Sequence, residues 1–186
     1  MLKIVALTGS KGSGKDTVGQ LIASTHDNVQ TIAFADPIKN VINHIFKLDP
    51  NNNNEYDVFK REILEYRAGG IPKAIAARHV VREIGMLMRD YDDKQFNLYV
   101  ETQIKAQPDK LWVVTDLRFD NEYTMLKRIG AKVVKITRPA YSYDGHITER
   151  EFNDSLVDKV LMNDGSLEHL TMRTNIIMKQ LLQEWE

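Results

Sequence analysis

The chain has 186 residues, 42% of them hydrophobic and 27% charged, which is enough apolar material for one sizeable core. It contains no cysteine, so disulfide scaffolds, thiol nucleophiles, iron–sulfur clusters and cysteine-based zinc sites are excluded. Lys and Arg total 25 against 26 Asp and Glu, and this balance disfavours a protein that binds nucleic acid through a basic surface.

The first apolar run of the chain is short. Residues 2–7 include Lys3 and lead directly into a glycine-rich stretch, so we expect neither a signal sequence nor a membrane span there. We therefore expect a cytoplasmic protein that does not bind membranes.

Strands and helices are expected to alternate along the chain. Runs of β-branched and aliphatic residues predict strands at 2–8, 29–34, 111–115 and 132–137. Helical spacing of apolar residues predicts helices at about 18–25, 36–46, 55–66, 72–89 and 123–129, and a last helix that follows Gly165 and ends near Trp185. This alternation is typical of an α/β fold with a mostly parallel central sheet.

The segment between Arg138 and Asp154 has no clear periodicity and is rich in polar residues and tyrosine. Such a composition suits a segment that moves on a rigid core, and we interpret residues 138–154 as a candidate lid. His146 within it is isolated, and we assign it no acid–base role.

Residues 9–15, Gly-Ser-Lys-Gly-Ser-Gly-Lys, follow the first predicted strand and precede the first predicted helix. In that context glycines let successive backbone N–H groups turn towards an anion, and the helix N-terminus adds partial positive charge. Lys15 is expected to reach the β- and γ-phosphates of a nucleotide. The alternative is a glycine-rich turn that merely joins strand to helix. The predicted phosphate-binding residues are Gly9, Lys11, Gly12, Ser13, Gly14, Lys15, Asp16 and Thr17.

Oxygen ligands for Mg²⁺ are expected beside this loop. Asp16 stands where a Ser or Thr hydroxyl usually meets the metal, and Thr17 follows it. Asp16 could hold the metal, directly or through water, or could only stabilise the N-terminus of the helix. Asp116 ends the third predicted strand, which is the Walker B position, and its alternative role is that of a turn residue. The predicted metal ligands are Asp16, Thr17 and Asp116.

Several arginines are candidates for binding phosphate. Arg78 and Arg82 are four residues apart and share a helix face, and Arg89 lies two turns further on. They could grip an acceptor phosphate through bidentate contacts or form a solvated charged face. Arg118 follows Asp116 by two residues and either reaches the same cleft or lies on the surface.

Two further arginines, Arg138 and Arg150, bracket the candidate lid. An arginine that moves in when a lid closes would stabilise the charge spread over a transferring phosphoryl group. A surface position without a catalytic role is the alternative for each of them.

These stretches resemble the deoxynucleoside monophosphate kinases of the bacteriophage type, a branch of the P-loop kinases. The matching stretches are Gly-Lys-Asp-Thr at 14–17, Phe-Ala-Asp-Pro-Ile-Lys at 34–39, an arginine–glycine–arginine helix at 82–90 with Gly85, Asp-Leu-Arg-Phe-Asp-Asn-Glu at 116–122, His-Ile-Thr-Glu at 146–149 and Asn-Asp-Gly at 163–165. Met86 stands where the family commonly has threonine, and Thr148 stands where it usually has serine. The matches extend from residue 2 to about residue 170.

The resemblance implies a three-layer P-loop NTPase fold with helices on both faces of the sheet, in a single domain over 1–186, with an acceptor-binding helical region at about 36–106. It implies transfer of the ATP γ-phosphate, with Mg²⁺, to a deoxynucleoside 5′-monophosphate, which supplies DNA precursors and is typical of phages. The predicted acceptor-binding residues are Asp36, Lys39, Arg78, Arg82, Arg89, Asp116, Arg118 and Asn121. The predicted catalytic residues are Lys15, Arg82, Arg118 and Arg138, and those of the lid are Arg138, Glu149 and Arg150.

Two other functions stay open. One is another small-molecule P-loop kinase, of the phosphomevalonate or dephospho-coenzyme A type. The other is a non-catalytic nucleotide switch, which the missing Asn-Lys-x-Asp guanine motif disfavours. The expected partners are small-molecule nucleotides and not nucleic acid. The last helix is expected to pack on the core, and the alternative is a homodimer that forms through it.

Overall fold

The computed structural model describes residues 2–50, 52–139 and 154–185. The strands are Lys3–Thr8 (β1), Val29–Ile32 (β2), Ile63–Ala68 (β3), Ile71–Ala76 (β4), Leu111–Val114 (β5), Lys132–Thr137 (β6) and Lys159–Met162 (β7). The helices are Lys15–Thr25 (α1), Asp36–Phe46 (α2), Asn53–Phe59 (α3), Ala77–Tyr91 (α4), Gln95–Ala106 (α5), Asp120–Arg128 (α6) and Leu167–Glu184 (α7).

Five strands form one sheet in the order β2-β5-β1-β6-β7, and each neighbouring pair in it is parallel. Parallel strands need crossover connections, and helix α1 connects β1 to β2 while helix α6 connects β5 to β6. The predicted α/β fold with a parallel central sheet is therefore confirmed.

The central strand β1 is buried on both faces. Val5 and Leu7 belong to a core that also contains Val18 and Ile22 of α1, together with residues of α7. Side chains alternate along a strand, so Ile4 and Ala6 point to the opposite face, and they too have no exposed surface. Burial on both faces explains why this strand is an unbroken apolar run in the sequence.

The two predicted helices at 55–66 and 72–89 are each partly wrong. The first ends at Phe59, the second begins only at Ala77, and between them β3 and β4 form an antiparallel hairpin. Gly69 and Gly70 connect the strands with φ values of 59° and 81°. A two-residue turn with positive φ at both positions matches the twist of a hairpin, and glycine adopts it without steric cost.

Two further elements are missing from the sequence prediction. They are helix α5 and the edge strand β7, which has only four residues. The strand predicted at 29–34 is also shorter, because β2 ends at Ile32.

The chain divides into two compact units. One comprises Met1–Phe34 and Asn97–Glu186 and contains the five-stranded sheet. The other, Ala35–Phe96, contains the hairpin together with α2, α3 and α4. Among the described residues, no helix combines the length and the apolar character that crossing a bilayer requires.

Within the second unit, α4 approaches α2 at a glycine. Gly85 is buried, and a Cβ atom built on it would lie 2.9 Å from Cδ1 of Ile38. Glycine in the middle of a helix is unfavourable for the helix itself, so its position here reflects the close packing of the two helices.

The buried side chain of Tyr56, in α3, is expected to make the stability of the protein fall at high pH. Burial, reinforced by the charges of Asp57 and Asp36, raises the pKa of Tyr56 to about 12. An unfolded tyrosine has a pKa of about 10, so the native state keeps the proton more tightly. The stability that this provides is present below pH 10 and is lost as the pH rises from 10 towards 12.

We therefore expect the wild-type urea midpoint to fall more between pH 8 and pH 11.5 than that of Tyr56→Phe, which has no proton to lose. Urea unfolding of both proteins at both pH values measures this difference. Equal losses in the two proteins would contradict the assignment.

Candidate functional site

The P-loop, residues 9–17, follows β1 and includes the first three residues of α1, and it contains three glycines with positive φ. The φ values are 140° at Gly9, 75° at Gly12 and 105° at Gly14. Side chains other than glycine rarely adopt these conformations, so the curled backbone depends on these residues. The glycine pattern thus correctly predicts a strand–loop–helix unit here.

Lys15 opens α1 and turns back over the loop. Its side chain is largely buried, with 8% of the residue exposed. Its Nζ donates hydrogen bonds to the carbonyl oxygens of Gly9 at 2.8 Å and Ser10 at 2.9 Å. An ammonium group and the N-terminus of a helix are thereby combined in one loop, which is an arrangement suited to binding an anion.

The other predicted phosphate-binding residues differ in exposure. Lys11 and Asp16 are exposed, and Thr17 is half-buried in the first turn of α1. Ser13 is fully buried, and its Oγ has no hydrogen-bond partner among the described residues. Because buried hydroxyls normally have a partner, this oxygen could contact a ligand bound in the loop.

Replacement of Gly9 by alanine is expected to destabilise the protein strongly. A Cβ atom there would lie 2.3 Å from the carbonyl oxygen of Ile136 and 2.9 Å from Oγ of Ser13. Gly130 is a matched control, because its φ is also positive, at 90°, but a Cβ atom built on it meets nothing within 4 Å.

Positive φ alone costs an alanine about 1–2 kcal/mol. The clash of the new Cβ atom with its neighbours adds about 1–3 kcal/mol. The free energy of unfolding should therefore fall more in Gly9→Ala than in Gly130→Ala, by about 1–3 kcal/mol. Urea unfolding of the two variants tests this expectation, and equal unfolding free energies would contradict it.

Asp116 lies at the carboxyl end of β5, beside the end of β1. The register pairs Ala6 with Val114, and the N–H of Leu117 donates to the carbonyl oxygen of Leu7 at 3.2 Å. Oδ1 of Asp116 accepts a hydrogen bond from the backbone N–H of Phe34 at 2.7 Å. The carboxylate is therefore held at the carboxyl ends of the parallel strands, where the P-loop begins.

The backbone around Arg118 is fixed by a buried carboxylate. Glu122 has no exposed surface, and its Oε2 accepts from the N–H groups of Arg118 at 2.9 Å and Phe119 at 3.1 Å. Asn121 accepts a hydrogen bond through Oδ1 from the N–H of Glu122 at 2.9 Å. Glu122 belongs to the matched stretch at 116–122, but the sequence did not identify it as the residue that shapes the turn.

The second unit carries the other residues predicted to bind the acceptor. Asp36 and Lys39 form an ion pair at 3.1 Å in the first turn of α2. Along α4, Arg78 is exposed, and Arg82 and Arg89 are half-buried. Spacings of four and seven residues place these arginines on one face of the helix. The guanidinium of Arg89 lies 4.4 Å from the centre of the Phe96 ring.

The residues at the two ends of the candidate lid reach different partners. Nη1 of Arg138 donates to the carbonyl oxygen of Gly12 at 3.4 Å, which brings this predicted residue to the P-loop. Asp154, at the other end, pairs with Lys135 at 2.7 Å. Glu149, Arg150 and the rest of the candidate lid between 140 and 153 lie outside the described residues.

One contact with the P-loop was not predicted. Nδ2 of Asn163, which follows β7, donates to the carbonyl oxygen of Ser13 at 2.8 Å. The Asn-Asp-Gly stretch was visible in the sequence, but no local pattern signals a contact across 150 positions. The described residues contain no cluster of three or more His, Asp or Glu side chains that could hold a metal without other ligands.

Comparison with solved structures supports the fold. A dephospho-CoA kinase from Campylobacter jejuni aligns over 100% of both chains with a TM-score of 0.55 and 16% identity. The protein TT1252 from Thermus thermophilus aligns over 97% of this chain and 98% of its own, with a TM-score of 0.52 and 16% identity. At such identities the similarity concerns the fold alone.

Comparison of sequences identifies the family. A protein of Acanthamoeba polyphaga mimivirus, provisionally named a deoxynucleotide monophosphate kinase, is 28% identical over 180 residues, which cover 89% of this chain and 90% of its own. The deoxynucleotide monophosphate kinase of Enterobacteria phage T4 is 38% identical over 71 residues, which are 38% of this chain and 30% of that protein. The sequence model of the deoxynucleotide monophosphate kinases matches residues 3–70 and 80–174. The chain therefore belongs to the deoxynucleotide monophosphate kinase family and is a phosphotransferase.

Proposed function

We propose that the protein transfers the γ-phosphate of ATP to a deoxynucleoside 5′-monophosphate and releases ADP and the deoxynucleoside diphosphate. The observation that carries this proposal is the P-loop, in which the Lys15 ammonium is buried at the N-terminus of α1. Family membership supports a deoxynucleoside monophosphate as the acceptor.

In this proposal the P-loop residues from Gly9 to Thr17, which include Lys11, Gly12, Ser13 and Gly14, bind the phosphates of ATP. The backbone N–H groups and Lys15 donate to phosphate oxygens, and the charge of Lys15 offsets the negative charge that develops during transfer. The buried position of Lys15 supports this role, because electrostatic interactions are stronger away from water.

Asp16, Thr17 and Asp116 are the proposed ligands of Mg²⁺. Their carboxylate and hydroxyl oxygens are the donors that this hard cation prefers, and one or two carboxylates suffice when phosphates complete its coordination. When bound, Mg²⁺ would neutralise charge on the β- and γ-phosphates. The hydrogen bond from Phe34 to Oδ1 of Asp116 supports the fit, because it fixes the carboxylate in one orientation.

The nucleophile in the proposed reaction is an oxygen of the acceptor phosphate. A phosphate monoester is largely ionised near pH 7, since its second pKa is about 6, so the reaction requires no general base. The new bond joins this oxygen to the γ-phosphorus, and the bond from the γ-phosphorus to the β–γ bridging oxygen breaks. Catalysis then depends on aligning the acceptor oxygen with the γ-phosphorus and on stabilising the negative charge of the transferring phosphoryl group.

Eight residues are proposed to bind the acceptor. They are Asp36, Lys39, Arg78, Arg82, Arg89, Asp116, Arg118 and Asn121. The shared helix face of the arginines on α4 supports this role, since guanidinium groups bind phosphate oxygens in pairs. Arg82, Arg118 and Arg138 are proposed to stabilise charge on the transferring group, and Glu149 and Arg150 to act in the lid.

An assay of ADP release tests the proposed function. It uses ATP, Mg²⁺ and a panel of deoxy- and ribonucleoside monophosphates, with phosphomevalonate and dephospho-coenzyme A as the alternative acceptors. We expect turnover on at least one deoxynucleotide. Turnover on only an alternative acceptor would assign a different kinase, and nucleotide binding without turnover on any acceptor would favour a switch.

A further inference from the structure

Asn163 lies between β7 and α7 and contacts the P-loop through its side chain. Besides the hydrogen bond from Nδ2 to the Ser13 carbonyl oxygen, its own N–H donates to the carbonyl oxygen of Thr137 at 2.8 Å. The backbone of Asn163 is thus tied to the end of β6, and its amide group reaches from there to the loop.

This contact determines the orientation of one peptide group of the P-loop. The carbonyl of Ser13 and the N–H of Gly14 belong to the same planar trans peptide, so they point in opposite directions. A donor that holds the Ser13 oxygen therefore also fixes the direction of the Gly14 N–H, which is one of the N–H groups proposed to bind a phosphate.

The chain around Asn163 is well anchored on both sides. Nη1 of Arg173 donates to the carbonyl oxygen of Met162 at 2.7 Å and also pairs with Asp164. The contact with the loop is close, since a Cβ atom on Gly14 would lie 2.6 Å from Nδ2 of Asn163. Glycine at position 14 thus permits both the positive φ and the close approach of the Asn163 side-chain amide.

We propose that Asn163 is a positioning residue, which orients the Gly14 N–H for binding the triphosphate of ATP. This inference rests on the proposed function of the P-loop. The turn between β7 and α7 thereby takes part in binding phosphate, because it orients the backbone of the P-loop. Asn163 itself does not need to contact the nucleotide.

Binding of two ligands to the full-length protein tests this role. Calorimetry gives the dissociation constants of ATP and of inorganic tripolyphosphate, which has no base or sugar, for wild type, Asn163→Ala and Asn163→Asp. Loss of one hydrogen bond predicts binding about tenfold weaker for both ligands in Asn163→Ala. Asn163→Asp keeps the shape of the side chain but presents an oxygen to the Ser13 carbonyl, so a larger loss is expected.

A matched control is Asn28→Gly. Nδ2 of Asn28 donates to the carbonyl oxygen of Asp109 in the same unit, and the donor group, the acceptor group and the 2.8 Å distance are those of the Asn163 contact. The φ of Asn28 is 60°, which glycine adopts freely. This variant is expected to lose stability while keeping the wild-type affinity for both ligands.

The outcomes separate the inference from the function on which it rests. Affinities of both Asn163 variants within twofold of wild type would overturn the inference while leaving ATP binding intact. Weaker binding of ATP with unchanged binding of tripolyphosphate would also overturn it, because the residue would then act on the base or sugar. A wild-type protein that binds neither ligand would overturn the proposed function itself.

Discussion

Lys15→Ala is expected to lower the kcat/KM for phosphoryl transfer by about 10²- to 10³-fold, the usual cost of removing a charge-stabilising donor from an active site. The buried ammonium lies within the P-loop, where it donates to the carbonyl oxygens of Gly9 and Ser10. Alanine removes this charge from the place where phosphate oxygens are proposed to bind. Steady-state rates of ADP release with a deoxynucleoside monophosphate measure the effect.

Lys3→Ala is the matched control for this variant. Lys3 is exposed at the other end of β1, so the same substitution there removes a positive charge far along the strand from the loop. We expect wild-type kinetics from it. Near-normal turnover in a Lys15→Ala protein with a wild-type circular dichroism spectrum would contradict the assignment of the P-loop.

Asp116→Asn is expected to have the second largest effect, a loss of about a hundredfold or more in kcat. The amide oxygen can still accept the hydrogen bond from the N–H of Phe34, so the local backbone should persist. The negative charge proposed to hold Mg²⁺ is lost, however. The dependence of the rate on Mg²⁺ concentration should therefore shift to higher concentrations.

Asp158→Asn provides the control for that substitution. Oδ2 of Asp158 also accepts from a backbone N–H at 2.7 Å, that of Val133, and it pairs with Lys127 at 2.9 Å. Asp158 precedes β7, at the opposite end of the sheet strands from Asp116. Loss of stability with full activity is expected there, and an Asp116→Asn protein with the wild-type response to Mg²⁺ would contradict the proposed ligand role.

The strands and helices that the sequence predicts well are those with a clear local pattern of residues. The strand at 132–137 agrees with β6 residue for residue, and the glycines of the P-loop separate β1 from α1 as expected. In each case a buried parallel strand is an apolar run that ends at glycine or at a change of periodicity. Family membership then follows from short motifs that lie on these same elements.

The errors come from competition between local patterns. Residues 63–76 contain apolar residues at spacings that also suit a helix, but Gly69-Gly70 makes a tight turn of two residues more favourable and leads to the hairpin. β7 was missed because it is an edge strand in which only Leu161 is buried, whereas the equally short β5 is a fully buried apolar run.

The sequence identified the P-loop and the stretch at 116–122, but not the residues that fix their backbones. Asn163 binds the carbonyl oxygen of Ser13 across 150 positions, a contact that depends on the tertiary fold and that no spacing rule reveals. Glu122 acts locally at the start of α6, where it accepts from the N–H groups of Arg118 and Phe119, so the capping pattern of a helix N-terminus could have signalled it. The roles of the acceptor-binding residues stay predictions, since they depend on a bound substrate.

The most direct test of the proposed reaction is to follow the transferred phosphate itself. ³¹P NMR of the wild-type protein with ATP, Mg²⁺ and each deoxynucleoside monophosphate in turn resolves the phosphates of substrates and products. We predict that a deoxynucleoside diphosphate forms in equal amount with ADP for at least one acceptor. Bound ATP with no diphosphate product from any deoxynucleoside monophosphate would contradict it.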